Sequence, residues 1–76
     1  VMLDPMGNIY VADRSNHRIQ FFMAGQLNAT TIAGKTGMAG SNATLLHTPN
    51  ALTFDNQLNL YVADLDNHRI QKFLRY

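Results

Sequence analysis

The chain repeats itself. Asn8-Ile9-Tyr10-Val11-Ala12-Asp13 recurs fifty-one residues later as Asn59-Leu60-Tyr61-Val62-Ala63-Asp64, and Asn16-His17-Arg18-Ile19-Gln20 returns unchanged as Asn67-His68-Arg69-Ile70-Gln71. From Leu3 to Phe22, twelve of twenty positions are identical to their counterparts at that offset. A period near fifty residues marks architectures in which each repeat is one supersecondary unit that buries its faces only against neighbours.

Within each copy the patterning is that of strands. Ile9, Tyr10 and Val11, with Leu60, Tyr61 and Val62, are aromatic, β-branched or aliphatic residues in short runs bounded by Gly, Asn and Asp. Ile19, Phe21 and Met23 alternate with Arg18, Gln20 and Phe22, a period of two. Asp13-Arg14-Ser15-Asn16 and Asp64-Leu65-Asp66-Asn67 lie between the runs; their short polar side chains bond local backbone and tolerate left-handed geometry, as a hairpin connection requires. Val1 to Asp4 and Asn50 to Asp55 supply a strand before each hairpin, and Thr30 to Ala33 one after the first. The predicted fold is therefore all-β: antiparallel four-stranded β-propeller blades, a partial propeller of about seven strands. The expected division is blade one at 1–34, a long connecting loop at 35–49 and an incomplete blade two at 50–76. Leu58 stands where the first copy has Gly7, which predicts a less tight turn in the second copy.

Composition narrows the function classes. Apolar residues form 46% of the 76-residue chain and charged residues 14%, too apolar for intrinsic disorder. The net charge of +1 supplies no long-range field to draw nucleic acid or an anionic membrane, and no apolar run reaches the ~20 residues of a membrane helix. Zero cysteines exclude disulfides and thiolate metal sites. The opening VMLDPMGN reads like the middle of an element, so a longer array is expected around this segment. Two sequons, at Asn28 and Asn42, permit glycosylation only in a secreted protein.

The paired motifs YVADRSNHRIQFF and YVADLDNHRIQKF resemble the NHL repeat, named for an Asn-His-Leu signature whose third letter is here Arg18 or Arg69. The resemblance covers nearly the whole chain, including the Thr-Ile-Ala-Gly strand, while WD and kelch repeats demand Trp, which is absent. It implies a non-catalytic scaffold that binds protein or peptide, with further NHL blades alongside, in the same chain or by self-association. Some NHL propellers bind single-stranded RNA, which is the alternative reading, using a basic rim with stacking groups. A related amidating lyase holds a catalytic metal, but its ligands match nothing here residue by residue; a fragment of such an enzyme is the third reading.

Three patterns carry possible chemistry. Ala29 to Thr36 fits a relaxed phosphate-loop pattern ending in Gly34-Lys35-Thr36, yet the residues before Gly34 are a strand and no helical pattern follows, so no backbone cradle forms. His17, His47 and His68 invite a metal, but His17 and His68 occupy the same position in adjacent copies beside Arg18 and Arg69, whose fixed charges disfavour one. They read as turn histidines. Asp13 with Arg18, and Asp64 with Arg69, face across one loop and are expected to fix its shape, together with Asn16 and Asn67. Recurrence marks these as structural, because a fold needs the same contact in every blade and a ligand seldom does. Specificity is expected where the copies differ: Arg14 and Ser15 became Leu65 and Asp66, which with Lys35 are the candidate surface contacts. The sixteen residues from Gly34 to Pro49 read as a flexible spacer with Leu45 or Leu46 tucked over the blade. No cofactor is implied, and no nucleophile, base or paired carboxylates are arranged for catalysis.

Overall fold

The structure, a computed structural model, describes residues 1–74. Arg75 and Tyr76, which close the expected 50–76 segment, lie outside the described residues. Seven strands form two antiparallel sheets: β1 (Met2–Leu3), β2 (Ile9–Asp13), β3 (Arg18–Phe22) and β4 (Ala29–Gly34) in one, β5 (Pro49–Phe54), β6 (Leu60–Asp64) and β7 (Arg69–Phe73) in the other. Both are meanders in chain order, and no α-helix occurs among the described residues.

Register decides which side chains share a face. Tyr10 lies opposite Phe21 and Ala12 opposite Ile19, so these four line one side of the first sheet. In the second sheet Leu60 lies opposite Phe73, and Val62 and Asp64 continue the same row. The two rows meet. Ile19, Ala33, Leu46, Leu60 and Val62 form the buried cluster, with Ala12, Leu52, Phe54 and Phe73 packed around it. The Tyr10 ring sits 4.6 Å from Phe54, edge-on across the junction, and 5.0 Å from Phe21. The sheets thus stack face to face, as adjacent blades do.

The repeat makes this interface once and leaves one half of it on each flank. The counterparts of Tyr10, Ala12, Ile19 and Phe21 are Tyr61, Ala63, Ile70 and Lys72, and Ile70 is 67% exposed. The counterparts of Leu52, Phe54 and Leu60 are Val1, Leu3 and Ile9, all exposed. Lys72, in the place of Phe21, lays its ammonium 5.6 Å above the Tyr61 ring.

Two expectations need correction. The turn at Leu58 is as tight as that at Gly7: the Leu58 N–H donates to the Asp55 carbonyl at 3.0 Å, as Gly7 does to Asp4. Leu58 meets the geometry by adopting φ 64°, where its Cβ is strained. Nor is the connection a loose spacer. Its residues 37–48 are hydrogen-bonded to both sheets, and Leu46 rather than Leu45 is the buried leucine, with no exposed surface. At the first sheet's end, Gly34 (φ 78°) passes so close to the His17 carbonyl that any Cβ would collide with it.

Candidate functional site

Each hairpin loop closes through one turn of 3-10 helix, Arg14–Asn16 and Leu65–Asn67, ended by a histidine in left-handed geometry at φ 56° (His17) and 55° (His68). Beneath each turn lies the same polar network. Asp13 Oδ2 accepts from Arg18 Nε at 2.8 Å and Asn16 Nδ2 at 3.1 Å; Asp64 Oδ2 accepts from Arg69 Nε at 2.9 Å and Asn67 Nδ2 at 2.8 Å. The arginine contact uses Nε and one carboxylate oxygen, leaving the two terminal guanidinium nitrogens to reach elsewhere.

The two copies differ in what surrounds the carboxylate. Asp64 is fully buried and its Oδ1 accepts the His47 N–H at 2.7 Å, whereas the Asp13 side chain is 27% exposed. Burial pushes the Asp64 carboxyl upward, and the Asn67, His47 and Arg69 donors outweigh it, holding it below the ordinary carboxylate range. At Asp13, the Arg18 and Asn16 hydrogen bonds lower the carboxyl with less burial to oppose them.

A second repeated network went unread in the sequence. Asp4 Oδ1 accepts the Met6 and Asn8 N–H groups, and Oδ2 accepts Asn8 Nδ2 and the Tyr10 hydroxyl. Asp55 does the same with Gln57, Asn59 and Tyr61. The signal was present: Asp, Asn and Tyr recur at identical spacing in both copies. Four donors on one carboxylate pin the turn into β2 and β6 and tie it to the tyrosine of the following strand.

Arg18 pairs with Gly34 and Pro49 with Asp64, which places both 3-10 turns and both ends of the connection on one rim. There the structure brings together residues from both copies. Arg14, Ser15, His17 and Thr48 line an open cleft between the sheets. His17 Nδ1 accepts the Thr48 N–H at 3.0 Å, and the His17 and His47 rings meet edge-on at 5.3 Å. Thr48 in turn donates its hydroxyl to Asp66 Oδ2 at 2.7 Å, with His47 Nε2 3.7 Å from the same oxygen. Thr48 has φ 54°, an uncommon conformation for a β-branched residue, held by its hydrogen bonds to the two loops.

Of the candidate contacts, Arg14 and Ser15 open onto this cleft, Leu65 is exposed on the second 3-10 turn, and Asp66 is partly engaged by Thr48. Lys35 is exposed at the end of β4, beyond Gly34. The histidine that meets His17 is His47, from the connection, and not its repeat equivalent His68. Among the described residues no three His, Asp or Glu side chains converge as metal ligands would, and every buried side-chain nitrogen or oxygen has a hydrogen-bond partner. Residues 29–34 are strand β4, and a turn follows Gly34-Lys35-Thr36 in place of the helix that phosphate binding needs.

No curated protein matches the chain. A family model described as NHL repeat matches residues 1–22 and 46–73, the two stretches that hold the polar networks and the strands β1 to β3 and β5 to β7. With both copies matched, two antiparallel sheets stacked as blades and the same loop geometry built twice, the chain belongs to the NHL-repeat family.

Proposed function

We propose that this segment is an interaction scaffold whose rim, at the junction of the two sheets, contacts a protein or peptide through Arg14, Ser15, Leu65 and Asp66, with Lys35 at its border. One observation carries the reading. The loops share an identical polar foundation, yet the residues mounted on their exposed tips are those that changed between copies. A shared frame with divergent tips is how a rigid scaffold presents a specific surface. In this reading blade one is residues 1–34 and the second, incomplete blade begins at β5, after the connection. Further NHL blades, from the same chain or another copy, cover the apolar flanks.

Panning a random-peptide library on the immobilised chain tests the rim. Selected peptides are re-measured on a variant carrying Arg14→Leu and Ser15→Asp, which copies the second tip onto the first. Binding is expected to fall at least about tenfold with an unchanged circular dichroism spectrum, the loss of a charged and a polar contact at an interface centre. Unchanged binding would overturn the assignment. Single-stranded RNA titrated at two salt concentrations tests the alternative; tight binding that falls steeply with salt would replace the peptide reading.

A further inference from the structure

All five carboxylates of the chain accept hydrogen bonds, but its cations are not all matched. Arg18 pairs with Asp13, Arg69 with Asp64, and Lys72 lies over the Tyr61 ring. Arg14 and Lys35 have no partner among the described residues. An exposed cation in water needs none, so the lack of one is not itself a site. The setting of Arg14 is what distinguishes it.

Arg14 lines the cleft between the sheets, a space of about 310 Å³, together with Ser15, His17 and Thr48. His17 is a donor there by necessity. Its Nδ1 accepts the Thr48 N–H at 3.0 Å, which puts the ring proton on Nε2. Neither that Nε2–H nor the Ser15 hydroxyl has a partner among the described residues. Thr48, in contrast, has both its N–H and its hydroxyl engaged. The cleft thus gathers a guanidinium, a hydroxyl and an imidazole N–H, all free to donate. The turns that carry them are fixed in advance: the Gly37 N–H donates to the Asn16 carbonyl at 2.9 Å, and the Asp66 N–H to the His47 carbonyl at 3.1 Å. Groups held in place before a ligand arrives lose little freedom when it binds. The second loop does not repeat the arrangement, since Leu65 and Asp66 stand where the first has Arg14 and Ser15.

We propose that this cleft takes a carboxylate carried by the bound peptide, with Arg14 as its ion-pair partner and Ser15 Oγ and His17 Nε2 as further donors. The proposal rests on the rim reading above and names the chemistry of the group that enters it. The guanidinium fork matches a carboxylate. A phosphoryl group fits less well, because Asp66, bonded to the Thr48 hydroxyl beside the cleft, repels a dianion more than a monoanion.

The test uses the 76-residue chain, isotope-labelled, and a small set of probes: acetyl-Gly-Gly-Asp-Gly-Gly-amide, its Asn and phosphoserine counterparts, and acetylated pentaglycine with a free terminal carboxylate. Before titration the His17 ring is expected as the Nε2–H tautomer. The Asp probe is expected to bind saturably in the millimolar range, shifting the Arg14 Nε–H, the Ser15 and Thr48 amides and the His17 ring nitrogens. The Asn probe should bind roughly tenfold or more weakly. Arg14→Gln should cost the Asp probe a similar factor with an unchanged circular dichroism spectrum, and Arg14→Lys, which keeps charge without the fork, should lie between. The same shifts from the pentaglycine terminus support the same site and assign the carboxylate to a chain end; shifts from the internal Asp alone assign it to a side chain. Equal affinity for the Asp and Asn probes, no binding of either carboxylate, an Nδ1–H ring, or tighter binding of the phosphoserine probe would overturn the proposal. Failure of the rim itself is a different result. Library peptides that lose binding on the Arg14→Leu, Ser15→Asp variant, yet keep it when their own acidic residues become amides, leave the rim standing and overturn the carboxylate.

Discussion

Asp13 and Asp64 offer an internally controlled measurement, because one substitution can be made twice in the same chain at sites that differ only in what covers them. Replacing Asp64 by Asn puts an amide NH2 where one carboxylate oxygen stood. If the NH2 takes the Oδ2 site it faces the Arg69 and Asn67 donors; if it takes the Oδ1 site it faces the His47 N–H. Either way a buried donor meets a donor at the fully buried Asp64, and Arg69, itself 27% exposed, loses its counter-charge. Breaking a buried pair from one side costs about 3–5 kcal/mol. At Asp13 the same change acts on a site 27% exposed and without the linker N–H, where water screens the pair and replaces lost bonds; about 1 kcal/mol is expected. Total stability for a chain this size is roughly 4–11 kcal/mol, so Asp64→Asn removes a large share. At ~4–8 °C per kcal/mol for so small a domain, melting should fall by about 12–40 °C for Asp64→Asn and by about 4–8 °C for Asp13→Asn. Thermal circular dichroism reads both. Equal shifts would refute the argument that the docked connection and burial make one copy of the motif worth more than the other.

Leu58→Gly should raise stability by about 0.5–1 kcal/mol, read as a higher urea midpoint, because relief of the left-handed strain outweighs a partly exposed side chain and added chain entropy. Leu46→Ala should lower it by about 2–4 kcal/mol, with faster amide exchange at His47 and Thr48 as the connection loosens. Acid should weaken the fold through Asp55, whose carboxyl is held down from 3.8 to about 2 by the Asn59 side-chain amide, with the backbone and Tyr61 donors outweighing burial. Its folded value lies below its unfolded one, so the contribution is complete above pH ~4 and is lost as pH falls toward 2. Urea midpoints across that window should flatten in Asp55→Asn.

The sequence made the strands legible because their period of two and their recurrence at a fixed offset reinforce each other, as at Tyr10 and Tyr61. It also exposed the loop partners Asp13 and Arg18, whose separation is set by a short hairpin. What it could not show depends on contacts between segments distant along the chain. Nothing in Gly40 to Leu45 announces that five of its carbonyls are bound by Asn67, Arg69 and Gln71, since a backbone acceptor looks alike in every residue. His47 reads as a stray histidine until the stacking of the sheets carries it to His17. The turn at Leu58 misled for the opposite reason: Gly7 marks the left-handed position plainly, but the four donors on Asp55 impose the same geometry on a leucine, and context overrode local preference.

The exchange of Phe21 for Lys72 bears on solubility. Lys72 lies opposite Tyr61 and Ile70 opposite Ala63, so the four share one face of the second sheet. Ile70 on that face is exposed. Phenylalanine in place of Lys72 would join Tyr61 and Ile70 in one apolar surface; the lysine interrupts it with a charge held over the Tyr61 ring. The residue that departs from the formed junction therefore makes this face more polar than its counterpart in the first sheet.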